Sequence, residues 1–145
     1  MKNKFLIIGV ICFIVAASYF FFYQQRENFG EEIKVLSVEI LEEGSGEIIK
    51  EGDRVVVNFN MWLENGTIFE SSLEWDEPYV FLLGSGQVIK GMDEGMLGAR
   101  IGETRRIKIP YVLAYGESGH SLSNGYETVP PKTNFIMDVE ILGVQ

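Results

Sequence analysis

The side chains that most often carry covalent or metal chemistry are scarce in this chain. It has one histidine, His120, and one cysteine, Cys12. No second histidine exists to complete a metal cluster, so the sequence calls for no metal and no other cofactor. Gly116-Glu117-Ser118-Gly119-His120 sets a serine among glycines but ends on His where a nucleophile elbow needs Gly. Gly84-Ser85-Gly86 lacks the third glycine and the long following helix of a dinucleotide fingerprint, and no phosphate-loop lysine pattern occurs. What remains is a surplus of aromatics near polar residues: Phe59, Phe69, Tyr79 and Tyr115. Such side chains can line an apolar binding cup, and each can equally be core packing. The chemistry they allow is binding and orientation without a nucleophile.

The element that would position such a cup is Val88 to Gly98. Its apolar residues at 88, 89, 92, 96 and 97 follow helical spacing with one apolar face, whereas almost everything else after residue 33 reads as strand or turn. Glycines at 91, 95 and 98 lower helix propensity but allow close approach to another surface, so the helix is expected to cross a curved sheet. Val88 and Ile89, at its start, would face a pocket mouth. The strongest strand pattern is Val55, Val57, Phe59, Met61 and Leu63 alternating with Val56, Asn58, Asn60, Trp62 and Glu64. Asn65-Gly66 predicts a two-residue type I′ hairpin returning through Thr67-Ile68-Phe69. Asn65-Gly66-Thr67 is also a glycosylation sequon, although the turn alone accounts for these residues.

Further strands are expected at Val35 to Ile40, Tyr79 to Leu83, Glu103 to Ile109 and Phe135 to Leu142. Glu70 to Pro78, with Ser71, Ser72 and Trp75, reads as a bulged loop. Tyr111 to Thr128 is a long Gly- and Ser-rich connection of the kind that is often functional, with Asn124-Gly125 suggesting a small flap. No internal repeat is present.

At 145 residues the chain suits one domain, with no disulfide framework. Its net charge of −9 conceals an asymmetry, because Lys2, Lys4 and Arg26 are the only charges before residue 27. Setting those three aside leaves nine basic against 21 acidic residues, a net of −12. That balance argues against nucleic acid as a partner. Residues 5–23 are uncharged, and at ~1.5 Å per residue they span roughly 28 Å, close to the thickness of a bilayer's hydrocarbon core. A cleavable signal peptide competes with a membrane anchor, since Val15-Ala16-Ala17 and Ala16-Ala17-Ser18 offer small residues for cleavage. Tyr19-Phe20-Phe21-Phe22-Tyr23 extends the run and supplies an interfacial aromatic belt, which favours an uncleaved anchor. Gly9-Val10-Ile11 before Cys12 lacks the small residues of a lipidation site. Lys2 and Lys4 place residues 1–4 in the cytoplasm, residues 24–32 form a tether, and residues 33–145 form the domain on the far side.

Taken in order, Asn65-Gly66-Thr67-Ile68-Phe69-Glu70-Ser71-Ser72, Pro78-Tyr79, Val88 to Gly95, Ala114-Tyr115-Gly116, Pro130-Pro131 and Phe135 to Leu142 resemble the FKBP-type peptidyl-prolyl isomerases, the macrolide-binding immunophilins. The resemblance runs over residues 33–144. It implies an α+β fold in which a curved antiparallel half-barrel sheet wraps one short helix. It also implies isomerisation of X-Pro bonds in polypeptide clients, with macrolides as a further ligand class and a monomeric state. By the same resemblance Glu70 and Tyr115 take catalytic roles, and Phe59, Phe69, Tyr79, Val88, Ile89, Met92, His120, Val129 and Met137 bind substrate. Several positions depart from the family pattern. Phe59 stands where Tyr is usual, Glu70 where Asp is, Met92 where Trp most often forms the pocket floor, and Tyr79 and Met137 where Phe is common. These departures keep a non-catalytic peptide-binding or chaperone module open as the alternative, separable from an isomerase by an exchange assay on a proline peptide. A tethering role for Trp75 and the long loop is a third reading.

Overall fold

The computed structural model describes residues 32–145 apart from residue 76 and residues 122–127. The apolar run 5–23, most of the tether and the Asn124-Gly125 turn lie outside the described residues. Among those described, no helix is long and apolar enough to cross a membrane.

The expected half-barrel is present. Six strands form an antiparallel sheet: β1 (Ser37–Glu42), β2 (Arg54–Leu63), β3 (Ile68–Ser71), β4 (Tyr79–Leu82), β5 (Thr104–Ile109) and β8 (Phe135–Val144). Their order is β1-β5-β8-β2-β3, with β4 pairing the first half of β2 and β3 the second. The second, two-stranded sheet pairs β6 (His120–Ser121) with β7 (Thr128–Val129). Alternation in β2 works as its pattern requires. Val55, Val57, Phe59 and Met61 are buried while Val56, Asn58, Asn60 and Trp62 are half-buried. In β8 the strict alternation fails at Ile136, which is buried on the opposite face from Phe135, Met137, Val139 and Ile141. β1 is an edge strand with both faces exposed, and it starts at Ser37, after Val35.

The Asn65-Gly66 turn differs from the expected type I′ geometry. Gly66 takes a φ of 86°, but Asn65 is not in the left-handed region. The Gly66 N–H donates to the Leu63 carbonyl at 2.9 Å and the Leu63 N–H to the Thr67 carbonyl at 2.8 Å, closing a three-residue loop over Glu64, Asn65 and Gly66. Asn65 instead accepts from the Thr67 N–H through its side chain at 2.9 Å, and the register shift between Met61 and Trp62 absorbs the extra residue.

The helix α1 (Lys90–Met96) is shorter than its apolar pattern, with Val88 and Ile89 leading into it and the Ile89 carbonyl accepting from Met92 and Asp93 at 2.9 and 3.2 Å. It lies on β5. A Cβ placed on Gly91 or Gly95 would run into Ile109 and Ile107 respectively. The helix's C-terminal carbonyls are met by a buried cation. The Arg105 guanidinium donates to the Gly95 and Leu97 carbonyls at 3.0 and 3.2 Å and pairs with buried Glu103. Glu103 in turn accepts from the Arg100 N–H at 3.1 Å. An arginine at a helix C-terminus satisfies orphan carbonyls and complements the helix dipole.

Gly95→Ala adds helix propensity of ~1 kcal/mol but forces a methyl to within 2.6 Å of Ile107 Cγ2. Overpacking of that kind typically costs ~1–3 kcal/mol, so the variant should unfold at lower urea concentration than the parent protein. A raised midpoint would mean that the helix has room to spare above β5.

Candidate functional site

On the sheet's inner side, between β2, β4 and α1, lies a cavity of about 450 Å³. Phe59 and Met61 reach it because they occupy the inward positions of β2, and Glu70 stands at its edge near the end of β3. Trp75 follows the 3-10 turn Ser72–Glu74, and Tyr79 opens β4. Gln87, Val88 and Ile89 bring the chain into α1, whose buried Met92 completes that wall. Ala114, Tyr115 and His120 close the far side. The volume and the predominantly apolar lining with a few polar tips suit a small hydrophobic group flanked by hydrogen-bonding atoms.

Each wall is fixed by a polar contact beneath it. Buried Ser72 accepts from the Phe59 N–H at 2.8 Å, and its hydroxyl lies 3.3 Å from the Phe59 carbonyl, which ties the loop after β3 to β2. Ser71 adds a hydrogen bond to Asn60 at 2.6 Å and accepts from the Leu73 N–H at 3.2 Å. The Trp75 N–H then donates to the Ser72 carbonyl at 3.1 Å. Before α1, the buried Asp93 carboxylate accepts from the Gly84 and Gly86 N–H groups at 2.9 and 3.0 Å, holding a turn whose two glycines have positive φ. Gln87 accepts from the Leu82 N–H at 2.8 Å. On the far side, buried Asn134 accepts from the Tyr111 N–H at 2.8 Å and donates to Glu64 at 2.7 Å, anchoring the 3-10 turn Tyr111–Leu113 that precedes Tyr115.

Three of the aromatic rings meet edge to face. Phe59 is 5.8 Å from both Trp75 and Tyr79, and Trp75 is 5.7 Å from Tyr79, so three rings form one mutually braced wall. Tyr115 stacks on His120 at 5.2 Å with 16° between planes. Burial pushes the Tyr115 hydroxyl's pKa above its usual value, and the nearby Glu70 charge and Tyr79 push it further. Tyr79 is raised by burial first and then by Glu70. Both phenols therefore stay protonated and remain hydrogen-bond donors through the neutral range.

The structure thus brings together Phe59, Glu70, Tyr79, Val88, Ile89, Met92, Tyr115 and His120 at one cavity. Three other expected contacts lie behind the lining. Phe69 is half-buried and packs edge-on against Tyr115 at 6.5 Å and Phe135 at 5.1 Å, supporting the Tyr115 ring from outside the cavity. Met137 is fully buried because β8 runs between β2 and β5, paired with both Met61 and Ile107. Val129 is also buried, and its backbone pairs with His120. Gly119 passes so close to the Val129 carbonyl that no Cβ would fit there. Val129 therefore sets the place of His120 instead of lining the cavity. Sequence reasoning missed Met61, Trp75, Gln87 and Ala114 as lining residues. For Met61 the signal was available in the inward alternation of β2; for Trp75 there was none, because the Ser72 contact that places it reaches back to Phe59.

The domain has counterparts among known proteins. Residues 45–142 match the family model for FKBP-type peptidyl-prolyl cis-trans isomerase. An FK506-binding protein of Neisseria meningitidis serogroup B is 42% identical over 109 residues, covering 75% of this chain and 95% of its own length. Peptidyl-prolyl cis-trans isomerase FKBP15-2 of Arabidopsis thaliana is 46% identical over 93 residues, 64% of this chain. The match spans 54% of the Arabidopsis protein and only 7% of FK506-binding protein 5 of Dictyostelium discoideum, which is 40% identical over 114 residues, 76% of this chain. The crystal structure of AtFKBP13 superposes with a TM-score of 0.69 at 31% identity, over 76% of this chain and 93% of that one. The chain belongs to the FKBP-type peptidyl-prolyl cis-trans isomerase family.

Proposed function

We propose that the cavity accelerates cis-trans isomerisation of X-Pro bonds in polypeptides that fold outside the cytoplasm. The observation that carries this reading is the convergence of Phe59, Tyr79, Ile89, Met92 and Tyr115 on one apolar cup with a protonated phenol at its edge. The uncatalysed reaction crosses a barrier of ~18–20 kcal/mol because twisting the bond breaks amide resonance. The planar amide is the more charge-separated form, so an apolar cup disfavours it relative to the twisted one. Phe59, Tyr79 and Met92 hold the prolyl ring. The Ile89 N–H and the Tyr115 hydroxyl donate to the flanking carbonyls, and Glu70 biases the field at the twisting bond. Each ~1.4 kcal/mol removed from the barrier is tenfold in rate. Macrolides would occupy the same cup, and the domain would act as a monomer.

The location is part of the same proposal. Lys2 and Lys4 before the uncharged run 5–23 support a cytoplasmic N-terminus, a membrane anchor and an extracytoplasmic domain. The full chain should then stay with membranes through an alkaline carbonate wash and be open to protease from the outer side; release of the intact chain by the wash would remove the anchor.

NMR exchange spectroscopy on a Leu-Pro peptide should show catalysed interconversion by the full chain in detergent, and its absence would refute the isomerase reading. Met92→Trp offers a flat aromatic floor at a position only 3% exposed. It is expected to raise the exchange rate and macrolide affinity while losing ~1–3 kcal/mol of stability if neighbours cannot adjust. A folded variant with unchanged kinetics and affinity would show that Met92 is not the floor.

A further inference from the structure

Trp75 is 43% exposed, yet it is not a loose surface side chain. Its backbone is bonded to Ser72, Ser72 is bonded to Phe59, and its ring stands nearly perpendicular to Phe59 at 82° and to Tyr79 at 68°. A large indole held this firmly on a cavity rim, with two-fifths of its surface open, offers a fixed platform to whatever residue adjoins the group inside. The rim's charge is one-sided. Glu70 lies close enough to influence both the Tyr79 and Tyr115 hydroxyls, and Glu74 and Glu77 are exposed on either side of Trp75. Among the described residues, no Lys or Arg lines the cavity. The chain as a whole carries −9.

We propose that this site selects X-Pro segments in which X is lysine or arginine, with Trp75 and Glu70 as the residues that determine the preference. The inference rests on the isomerase reading for its proline. Once the prolyl ring is in the cup, the residue joined to it through the twisting bond projects over the rim. The aliphatic stem of Lys or Arg covers the indole, and the cation meets the ring face and the Glu70 carboxylate. An acidic X meets the same carboxylate and is repelled. A short apolar X covers part of the ring but gains nothing from the charge.

The test uses the full chain in detergent and four peptides of the form Ala-Xaa-Pro-Leu, with Xaa Lys, Arg, Leu or Glu. Exchange spectroscopy gives kcat/KM, and titration of the same peptides gives Kd. At low ionic strength Lys and Arg should exceed Leu by about 3- to 10-fold, with Glu weakest. The advantage of Lys should shrink in 0.5 M salt, because the charge component is screened. Trp75→Leu should bring the Lys-to-Leu ratio towards one, and Trp75→Tyr should restore part of it. Equal values for Lys, Leu and Glu, or a ratio that survives Trp75→Leu, would overturn the proposal. Absence of turnover with all four peptides would overturn the isomerase reading alone, since the order of Kd values still reads the preference.

Discussion

The close approach of one short helix to one strand is the constraint on which the rest of this domain depends. Seven residues make an unstable helix in isolation, and two of these seven are glycine, so α1 exists only because of what it rests on. Glycines at 91 and 95 let its backbone settle on Ile109 and Ile107, and Arg105 of the same strand reaches across to the carbonyls of Gly95 and Leu97. Apolar contact and cap thus come from alternate residues of β5. The cap has a condition attached. Arg105 is buried, and a buried cation is tolerated only with a partner, which Glu103 supplies two residues earlier. Losing one member of such a pair typically costs ~3–5 kcal/mol because the other is left uncompensated. Met92 faces the cavity only while this arrangement holds the helix in place.

The site itself follows a second rule: every wall that carries an aromatic or apolar contact is fixed by a buried polar side chain on a neighbouring segment. Ser72 fixes the segment carrying Trp75, Asp93 fixes the turn leading to Val88 and Ile89, and Asn134 fixes the approach to Tyr115. These bonds satisfy backbone N–H groups that loops would otherwise leave unpaired on burial. They also hold the lining segments in fixed positions. Preorganisation of this kind would serve the proposed isomerisation, which has no covalent step and would draw only on position and environment.

Much of this was legible in the sequence because period and spacing are direct consequences of packing. The alternation in β2 announced its inner face, and the glycines of α1 announced a close contact. The ordered motifs from Asn65 to Leu142 carried the family, and with it eight of the residues that meet at the cavity. What was not legible depends on how loops fold back. Trp75 read as a surface aromatic because nothing in its immediate neighbours indicates that Ser72 reaches Phe59, 13 residues earlier. Met137 and Val129 read as pocket residues because sequence order does not reveal that β8 lies between two strands or that Val129 backs onto Gly119. The Asn65-Gly66 dipeptide was compatible with two hairpin geometries, and the bond from the Thr67 N–H to the Asn65 side chain together with a bulge at Phe69 in β3 selected the longer one.

The central claim is that the cavity between β2, β4 and α1 is where a prolyl segment binds. Amide shift mapping of the isotope-labelled protein during titration with a Leu-Pro peptide tests it most directly. The account predicts that the largest perturbations fall on Phe59, Glu70, Trp75, Tyr79, Ile89, Met92 and Tyr115, with β1 and the outward residues of β8 unmoved. Perturbations centred instead on the second cavity, of about 350 Å³, around Asn58, Asn60, Thr104 and Glu140 would contradict it.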